Sequence, residues 1–169
     1  MGTAVRTPRP LQDRVFDIAA TVCDPEIPVL TIADLGVLRE VAVGADGAVE
    51  VVITPTYSGC PAMNMIALEI ELAVERAGLP RPVVRTVLSP AWTTDWMSAE
   101  GREKLLAYGI APPVGRAGGR RALFGEDAPA CPQCGSPDTE RVSEFGSTAC
   151  KALYRCRACR EPFDHFKCI

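Results

Sequence analysis

The 169-residue sequence contains one histidine, no run of 18 apolar residues and no G-x-G-x-x-G loop. One histidine excludes the carboxylate-bridged di-iron site of a helical bundle, which needs a pair of Glu-x-x-His motifs. The missing glycine loop argues against a dinucleotide cofactor, and the missing apolar run argues against a membrane-spanning helix. The N-terminal stretch MGTAVRTPRPLQDRVFD also lacks the apolar core of a signal peptide. These absences predict a cytoplasmic protein without a membrane segment.

Positive charge is scarce as well, because 18 basic residues stand against 21 acidic ones and the formal net charge is -3. A nucleic-acid-binding protein needs a surplus of Lys and Arg for phosphate contacts, so no nucleic-acid partner is expected. With 47% hydrophobic and 23% charged residues, the composition is that of a globular protein. The length suits one ordinary domain plus a small second one.

The eight cysteines are unevenly distributed, since six of them lie in the last 39 residues, from Cys131 onward. In a chain without an export signal, paired C-x-x-C spacings indicate metal or redox chemistry rather than disulfides. The stretch IAPPVGRAGGRRALFGEDAPA ahead of them is rich in Pro, Gly and Arg and has neither a helical nor a strand period. We therefore predict a first domain at residues 1–110, a linker at residues 111–130 and a cysteine-rich module at residues 131–169.

The first domain shows the element order α-β-β-α-β-α. PLQDRVFDIAATVC places its apolar residues on one helix face, and GVLREVAVGADGAVEVVIT predicts two strands around a tight Asp-Gly turn. Residues 61–77 are predicted to form a second helix ended by Gly78, and RPVVRTVLS a third strand. SAEGREKLLAYG is a third helix with Ser98 as its N-cap and Gly109 at its C-terminal end. The fold class is α/β (α+β), with helices packed on a small mixed sheet.

The cysteine-rich module carries paired cysteines, Cys131/Cys134 and Cys156/Cys159, with 21 residues between the pairs. In the form CPQCG both thiolates converge at a turn, and Gly135 allows the positive backbone angle that the turn requires. Two such turns arrange four thiolates tetrahedrally, and a segment of about 40 residues usually needs a metal in order to fold. We therefore expect a β-rich, zinc-ribbon-like module. Zinc is favoured because a closed site needs no redox role, but the same ligands hold iron-sulfur clusters.

Cys150 and Cys168 lie outside these pairs and are interpreted as small buried hydrophobic residues. Alternatively, the cysteines of this module could, beside His165, ligate a second or transient ion. If FDHF is a strand, Phe163 and His165 share one of its faces. His165 is then expected to be a partly exposed strand residue.

Cys60 lies in the stretch TYSGCPAMNM, just ahead of the second predicted helix. Because Pro61 suits the first turn of a helix, Cys60 is predicted at or next to the N-cap. The positive end of the helix dipole would lower its thiol pKa and enrich the thiolate, which binds metal or attacks an electrophile. The alternative is a buried cysteine that merely fits under the loop. A protease-like Cys-His pair is not expected, because the only histidine lies at the far end of the other module.

The carboxylates of Asp24, Glu26 and Asp34 lie in the stretch CDPEIPVLTIADLG. A loop framed by prolines would hold Asp24 and Glu26 rigidly, and carboxylates beside a thiolate offer a mixed hard and soft site for iron. The alternative is that Asp24 forms a cap or turn and that Glu26 is a solvated loop residue.

The motif DPEIPVLTIADLGVL followed by GCP at a helix start resembles the small SufT-like domain associated with iron-sulfur cluster assembly. The stretches SPAWTTDWMSAEGREKLLAYGIAPP and SEFGSTACKALYRCRACREPFDHFKCI resemble the PaaD family, accessory proteins of bacterial phenylacetate degradation. The resemblance extends over residues 11–169. The motif residues that it implies are Asp24, Glu26, Asp34 and Cys60 in the first domain and Cys131, Cys134, Cys156 and Cys159 in the second.

This resemblance implies a maturation factor for the multicomponent phenylacetyl-CoA epoxidase, a di-iron oxygenase served by a flavin and iron-sulfur reductase. Such a factor would supply or repair a metal centre in a client subunit, the reductase or the di-iron component, and would not be the oxygenase itself. Cys60 would hold iron or a cluster transiently, the acidic loop would tune or release it, and the metallated ribbon would dock the client.

Two alternatives of different classes stay open. The protein could be a structural adaptor that binds the epoxidase subunits without handling metal, or a thiol enzyme that uses Cys60 as its nucleophile. An apolar patch beside Cys60 could also form a homodimer that shares a cluster between chains.

Overall fold

The structure is a computed structural model that describes residues 9–114 and 128–168. In chain order its elements are α1 (Leu11–Ala19), β1 (Leu38–Val43), β2 (Val49–Ile53), α2 (Met63–Arg76), β3 (Val83–Thr86), α3 (Ala99–Ala107), β4 (Thr139–Ser143), β5 (Lys151–Cys156) and β6 (Pro162–Phe166). The predicted α/β fold and its element order are confirmed. Within the described ranges, every helix is too short or too polar to span a bilayer.

The first module contains a mixed sheet, in which β1 runs antiparallel to β2 and β2 runs parallel to β3. The β1–β2 hairpin closes where the Gly44 N–H donates to the Ala48 carbonyl at 2.8 Å. Asp46 Oδ1 accepts the Ala48 N–H at 3.1 Å, and Gly47 has a φ of 81°. Because that backbone angle favours glycine, the Asp-Gly pair determines the turn, as predicted.

The helix boundaries follow the local signals in the sequence. The Ser98 hydroxyl accepts the Gly101 N–H at 2.8 Å and so caps α3, while Gly109 follows this helix with a φ of 89°. Helix α2 begins two residues later than predicted, because the Met63 N–H donates to the Cys60 carbonyl at 3.5 Å and closes a separate turn.

The second module is an antiparallel sheet in the order β4-β5-β6. The chain that leaves α3 joins this sheet at Ala111, whose N–H donates to the Asp164 carbonyl at 2.8 Å. The Ala111 carbonyl in turn accepts the Phe166 N–H at 2.9 Å. Most of the predicted linker, residues 115–127, lies outside the described residues.

The core of the first module is shared with residues of the second module, which also has a smaller core of its own. Phe166 and Cys150 of the second module are 1% and 4% exposed, and both belong to the buried cluster of the first module. The Phe166 ring lies 6.1 Å from the Trp92 ring, centroid to centroid. The Trp92 indole N–H donates to the Leu35 carbonyl at 2.8 Å, which anchors the ring in the first module. The second module therefore completes the core of the first.

Replacing Phe166 by Ala should lower the free energy of unfolding by about 3 to 5 kcal/mol, because it leaves a cavity in the shared core. Urea unfolding followed by tryptophan fluorescence measures this loss. Phe145→Ala is the matched control, since Phe145 is 62% exposed and its replacement should cost less than about 1 kcal/mol. A loss of similar size in both variants would contradict the shared core.

Candidate functional site

Four cysteine sulfurs converge in the second module. The Sγ atoms of Cys131, Cys134, Cys156 and Cys159 all lie within 4.8 Å of one another. Cys131 and Cys159 are 3.7 Å apart, and Cys134 and Cys156 are 3.6 Å apart, measured between sulfurs. A zinc ion with Zn–S bonds of about 2.3 Å holds tetrahedral sulfurs about 3.8 Å apart. The arrangement of the four thiols therefore fits a metal of this size.

Each cysteine pair lies on a tight turn of the same construction. The Gly135 N–H donates to the Cys131 carbonyl at 2.8 Å, and the Arg160 N–H donates to the Cys156 carbonyl at 3.0 Å. Gly135 and Arg160 both have a positive φ, of 74° and 70°. The glycine signal predicted the first turn, whereas the second turn imposes the same backbone angle on an arginine.

Backbone N–H groups also prepare these sulfurs for a metal. The Cys159 N–H donates to the Cys156 sulfur at 3.5 Å. Together with the Ala158 N–H and the neighbouring thiols, and against the effect of burial, this hydrogen bond lowers the pKa of Cys156 to about 7. The Glu161 N–H opposes a raised pKa at Cys159, but burial and the hydrogen bonds to the neighbouring thiols raise it to about 12. Since the thiolate is the form that binds metal, Cys156 is the more readily ionised ligand of this turn.

A separate thiol, that of Cys60, lies half-buried in the first module, between β2 and α2. Ala62, not Cys60, occupies the N-cap of α2. Burial raises the pKa of Cys60, the Ala62 N–H opposes this shift, and the charges of Glu26 and Asp24 add to it. The sequence-based prediction of a lowered pKa is therefore wrong, because desolvation and nearby carboxylates outweigh the helix end.

Asp24 and Glu26 belong to the loop beside Cys60. Asp24 Oδ1 accepts the N–H groups of Glu26 and Ile27, each at 2.8 Å, so the buried Asp24 carboxylate holds the loop in shape. Glu26 is half-buried, and burial together with the charge of Asp24 raises its pKa. The structure thus brings Asp24, Glu26 and Cys60 into one electrostatic group.

Tyr57 and Cys150 also interact electrostatically with Cys60, and no site role was expected for Tyr57. Burial and the charges of Cys60, Glu26 and Cys150 raise the pKa of Tyr57 to about 12, so its hydroxyl keeps its proton near Cys60. Cys150 comes from the second module and is buried, as predicted. Spacing in the sequence could not reveal the electrostatic effect of Cys150 on Cys60, because 89 residues separate them.

Asp34 lies in a different environment, where it joins the loop before β1 to α3. Its carboxylate accepts hydrogen bonds from the Thr31 N–H at 3.0 Å, from the Ser98 hydroxyl at 3.2 Å and from the Lys104 ammonium at 2.9 Å. Burial alone would raise the pKa of Asp34, but the hydrogen bonds from Thr31 and Lys104 outweigh it and hold the pKa below its usual value. These contacts give Asp34 a structural task.

His165 is 1% exposed, so the expectation that it is partly exposed is wrong. Its Nδ1 lies 3.2 Å from the Ala111 carbonyl, which belongs to the chain paired with β6. The Tyr154 ring packs edge-on against His165 and stacks on Phe163. The predicted shared face of Phe163 and His165 is therefore confirmed.

Comparison with known proteins places these features in a family. Residues 12–89 match the family described as iron-sulfur cluster assembly protein, and residues 116–167 match the PaaD zinc beta ribbon domain. A protein of Escherichia coli (strain K12), provisionally named as a subunit of 1,2-phenylacetyl-CoA epoxidase, is 49% identical over 160 residues, which cover 95% of this chain and 94% of the relative.

Two further proteins share a smaller part of the chain. An Fe-S protein maturation auxiliary factor of Porphyromonas gingivalis is 37% identical over 95 residues, which cover 56% of this chain and 90% of the relative. A crystal structure of a DUF59 domain, a domain of unknown function, from Bacillus anthracis shares the fold with a TM-score of 0.52 and 22% identity, over 56% of this chain and 91% of that one.

The fold and the cysteine cluster thus define a two-module protein, an iron-sulfur assembly domain joined to a zinc beta ribbon. The chain belongs to the PaaD family. The resemblance drawn from its motifs is confirmed.

Asp34→Asn should destabilise the protein by about 1 to 3 kcal/mol at neutral pH, because it removes the charge that Lys104 and Thr31 bind. The folded state lowers the pKa of Asp34, so its ionised form contributes stability above the unfolded-state pKa. That contribution is lost as the pH falls through the folded-state pKa. Urea unfolding should therefore give a large difference in the free energy of unfolding between Asp34→Asn and the wild type at neutral pH. At about pH 3 this difference should be small.

The control for this series is Glu75→Gln, an exposed carboxylate near the end of α2. It should change the free energy of unfolding by less than about 0.5 kcal/mol at either pH. An Asp34→Asn difference that does not shrink in acid would mean that the charge of Asp34 is not the source of its stabilising effect.

Proposed function

We propose that the protein is a maturation factor of the phenylacetyl-CoA epoxidase system in phenylacetate catabolism, and that it assists the assembly of an iron-sulfur or iron centre in a client subunit. The observation that carries this proposal is the Cys60 thiol, which lies beside the Asp24–Glu26 loop in a domain of the iron-sulfur assembly family. Relatives named as an epoxidase subunit and as Fe-S maturation factors support the system and the chemistry.

The electrostatics of Cys60 suit a transient ligand for iron or a cluster. Its raised pKa keeps the empty thiol protonated, which limits oxidation. An arriving iron cation displaces the proton, because a metal lowers the pKa of the thiol that it binds. When a client offers better ligands, the strongly basic Cys60 sulfur takes up a proton again. Burial and the carboxylates thereby favour release as well as capture.

The four cysteines of the ribbon have a different task in this proposal. Cys131, Cys134, Cys156 and Cys159 would hold a resident zinc ion that stabilises the small module. A zinc held there would supply only structure, because the four sulfurs would complete its tetrahedral coordination. The ribbon would then keep its shape during transfer and dock the client.

The clients proposed are the other epoxidase subunits, the reductase or the di-iron component. The oxidation chemistry belongs to those subunits, because this sequence has a single histidine and no dinucleotide-binding loop. Met65 and Leu68 of α2 are exposed apolar residues close in sequence to Cys60, and they suit either the client or a homodimer contact.

An adaptor that binds the epoxidase without handling metal is the second candidate. It is favoured by the exposed Val142 and Phe145, which give the β4 edge of the ribbon an apolar surface. Such a surface suits protein docking and needs no role for Cys60.

Metal analysis tests the assignment of the ribbon. Protein purified without oxygen should contain about one zinc per chain and neither iron nor acid-labile sulfide. Replacing Cys131 by Ser should abolish zinc retention and destabilise the ribbon, whereas replacing the exposed Cys23 should leave the zinc content unchanged. Iron with matching sulfide at the four-cysteine site would instead make the ribbon a cluster-binding module.

Cys60→Ser tests the maturation role. In cells that produce the epoxidase subunits and lack the wild-type protein, this variant should reduce epoxidase activity and client iron and sulfide to the level seen without any maturation factor. Zinc content, thermal unfolding and client binding should stay at wild-type values, because the substitution removes a half-buried sulfur and leaves the ribbon intact.

Cys23→Ser provides the matched control, since it removes an exposed thiol from the same module. Full maturation with Cys60→Ser, in cells where deletion of the whole protein prevents it, would support the adaptor and contradict the metal-handling role.

A further inference from the structure

The first sheet has a second face, turned away from the buried core, which we call the outer face. Val51 of β2 is fully buried and belongs to the core cluster, whereas the next residue, Val52, does not. Because successive residues of a strand point to opposite faces, Val52 and Thr54 belong to the outer face. The cross-strand partners of Val52 are Glu40 on β1 and Arg85 on β3. These side chains therefore form one row across the outer face.

A cavity of about 340 Å³ opens on this face. Its lining includes Arg39, Glu40 and Arg85, which carry charge, and Thr54 and Ser89, which carry hydroxyl groups. The volume is at the lower end of the range for small-molecule sites. The cavity shares no residue with the four-cysteine cluster or with the loop around Cys60.

Arg39 lines the cavity because of an irregularity in β1. Leu38 pairs with Ile53 and Glu40 pairs with Val52, so Arg39 is the additional residue of a β-bulge. A bulge redirects the side chain of its extra residue. Arg39 and its neighbour Glu40 thereby line the same cavity, which two consecutive residues of a regular strand would not do.

The Arg39 guanidinium is held in place by stacking. Its Cζ lies 3.6 Å from the centroid of the Trp96 ring. Trp96 lies so close to Gly36 that a Cβ on this glycine would be 2.6 Å from the Trp96 carbonyl oxygen, and Gly36 has a φ of 70°. Stacking occupies the face of the guanidinium and leaves its in-plane N–H groups available to a carboxylate. Among the described residues, no acidic side chain forms an ion pair with Arg39.

Thr54 supplies a second polar group. It is 1% exposed, and its hydroxyl has no hydrogen-bond partner within the described part of the chain. Its backbone is fixed, since the Thr54 N–H donates to the Val37 carbonyl at 2.9 Å. A buried hydroxyl without a partner destabilises the folded protein, so an acceptor bound in the cavity would relieve that cost.

The charges around the cavity favour an anion with a single negative charge. Arg85 is paired with Glu50 at 3.0 Å, so Arg39 provides the anchoring charge. Glu40 also lines the cavity and would repel a phosphate dianion more strongly than a carboxylate. The valines of the lining suit a short hydrocarbon chain attached to that carboxylate.

We propose that this cavity binds a small organic anion, whose carboxylate is held by the Arg39 guanidinium and the Thr54 hydroxyl. An arginine binds a carboxylate through two parallel N–H groups, and such charge-assisted hydrogen bonds are stronger than neutral ones. The site goes beyond the proposed maturation role and does not depend on Cys60.

A titration with butyrate tests this site, followed by ¹H–¹⁵N NMR of the full-length protein at constant ionic strength. Butyrate should shift the backbone amide signals of Val52 and Thr54 and the indole signal of Trp96 to saturation. Butyramide has nearly the same shape without the charge and should bind at least about tenfold more weakly. Inorganic phosphate should also bind more weakly than butyrate, because Glu40 repels its second charge.

Substitutions separate the two polar groups. Arg39→Gln should weaken butyrate binding by at least about tenfold, and Arg39→Lys should weaken it less, because lysine keeps the charge without the planar fork. Thr54→Val should weaken binding by about two- to tenfold without lowering the unfolding temperature, since the hydroxyl has no partner to lose. Arg14→Gln is the matched control and should bind butyrate as the wild type does, since Arg14 is exposed on α1, outside the cavity.

A wild-type protein whose signals show no saturable shift with butyrate would overturn the site without any substitution. Equal butyrate binding by the wild type and by folded Arg39→Gln would also overturn it, since Arg39 would then only cover Trp96. Tighter binding of phosphate than of butyrate would overturn the assignment to a carboxylate. None of these results depends on epoxidase maturation, so the assay with Cys60→Ser decides the proposed function separately.

Discussion

The packing of Phe166 and Cys150 into the first module is the interaction on which the rest of the arrangement depends. The second module has a buried core of six residues of its own, Ala111, Cys131, Ala152, Tyr154, Cys156 and Phe163. A core of that size does not stabilise a sheet of about 40 residues without help. A metal held by the four cysteines would supply that help at one end of β5, and the core of the first module supplies it at the other. The packing of Cys150 and Phe166 therefore ties the second sheet to the first module.

The elements of the first module could be predicted because their signals are local. The Asp46-Gly47 turn, the Ser98 cap and the glycines after α2 and α3 each determine the backbone within a few residues. The proximity of the two sulfurs in each cysteine pair could also be predicted, since the C-x-x-C spacing itself brings them together at a turn. At these positions, the residues that interact in space are also close neighbours in the sequence.

The raised pKa of Cys60 could not be predicted because the residues that cause it are distant in the sequence. The helix rule for a lowered pKa uses only the residues next to Cys60, whereas desolvation and the carboxylates of the Asp24–Glu26 loop act through space. The burial of His165 was missed for the same reason, since it depends on the chain at Ala111 that pairs with β6. Asp34 differs, since the motif grouped it with the Cys60 site, whereas its carboxylate accepts hydrogen bonds from Lys104, Ser98 and Thr31.

The four-cysteine cluster and Cys60 differ in a way that bears on the proposed function. The four sulfurs lie within 4.8 Å of one another, so a zinc ion held there would be surrounded by protein ligands and would have no open position for exchange. Cys60 is half-buried, and burial together with the charges of Glu26 and Asp24 raises its pKa, so a cation that binds there must displace a proton. Zinc binds most ligand sets more tightly than iron(II) does. Under the proposed function, the ribbon would therefore retain zinc, while the lone Cys60 thiol would give up its cation to a client with better ligands.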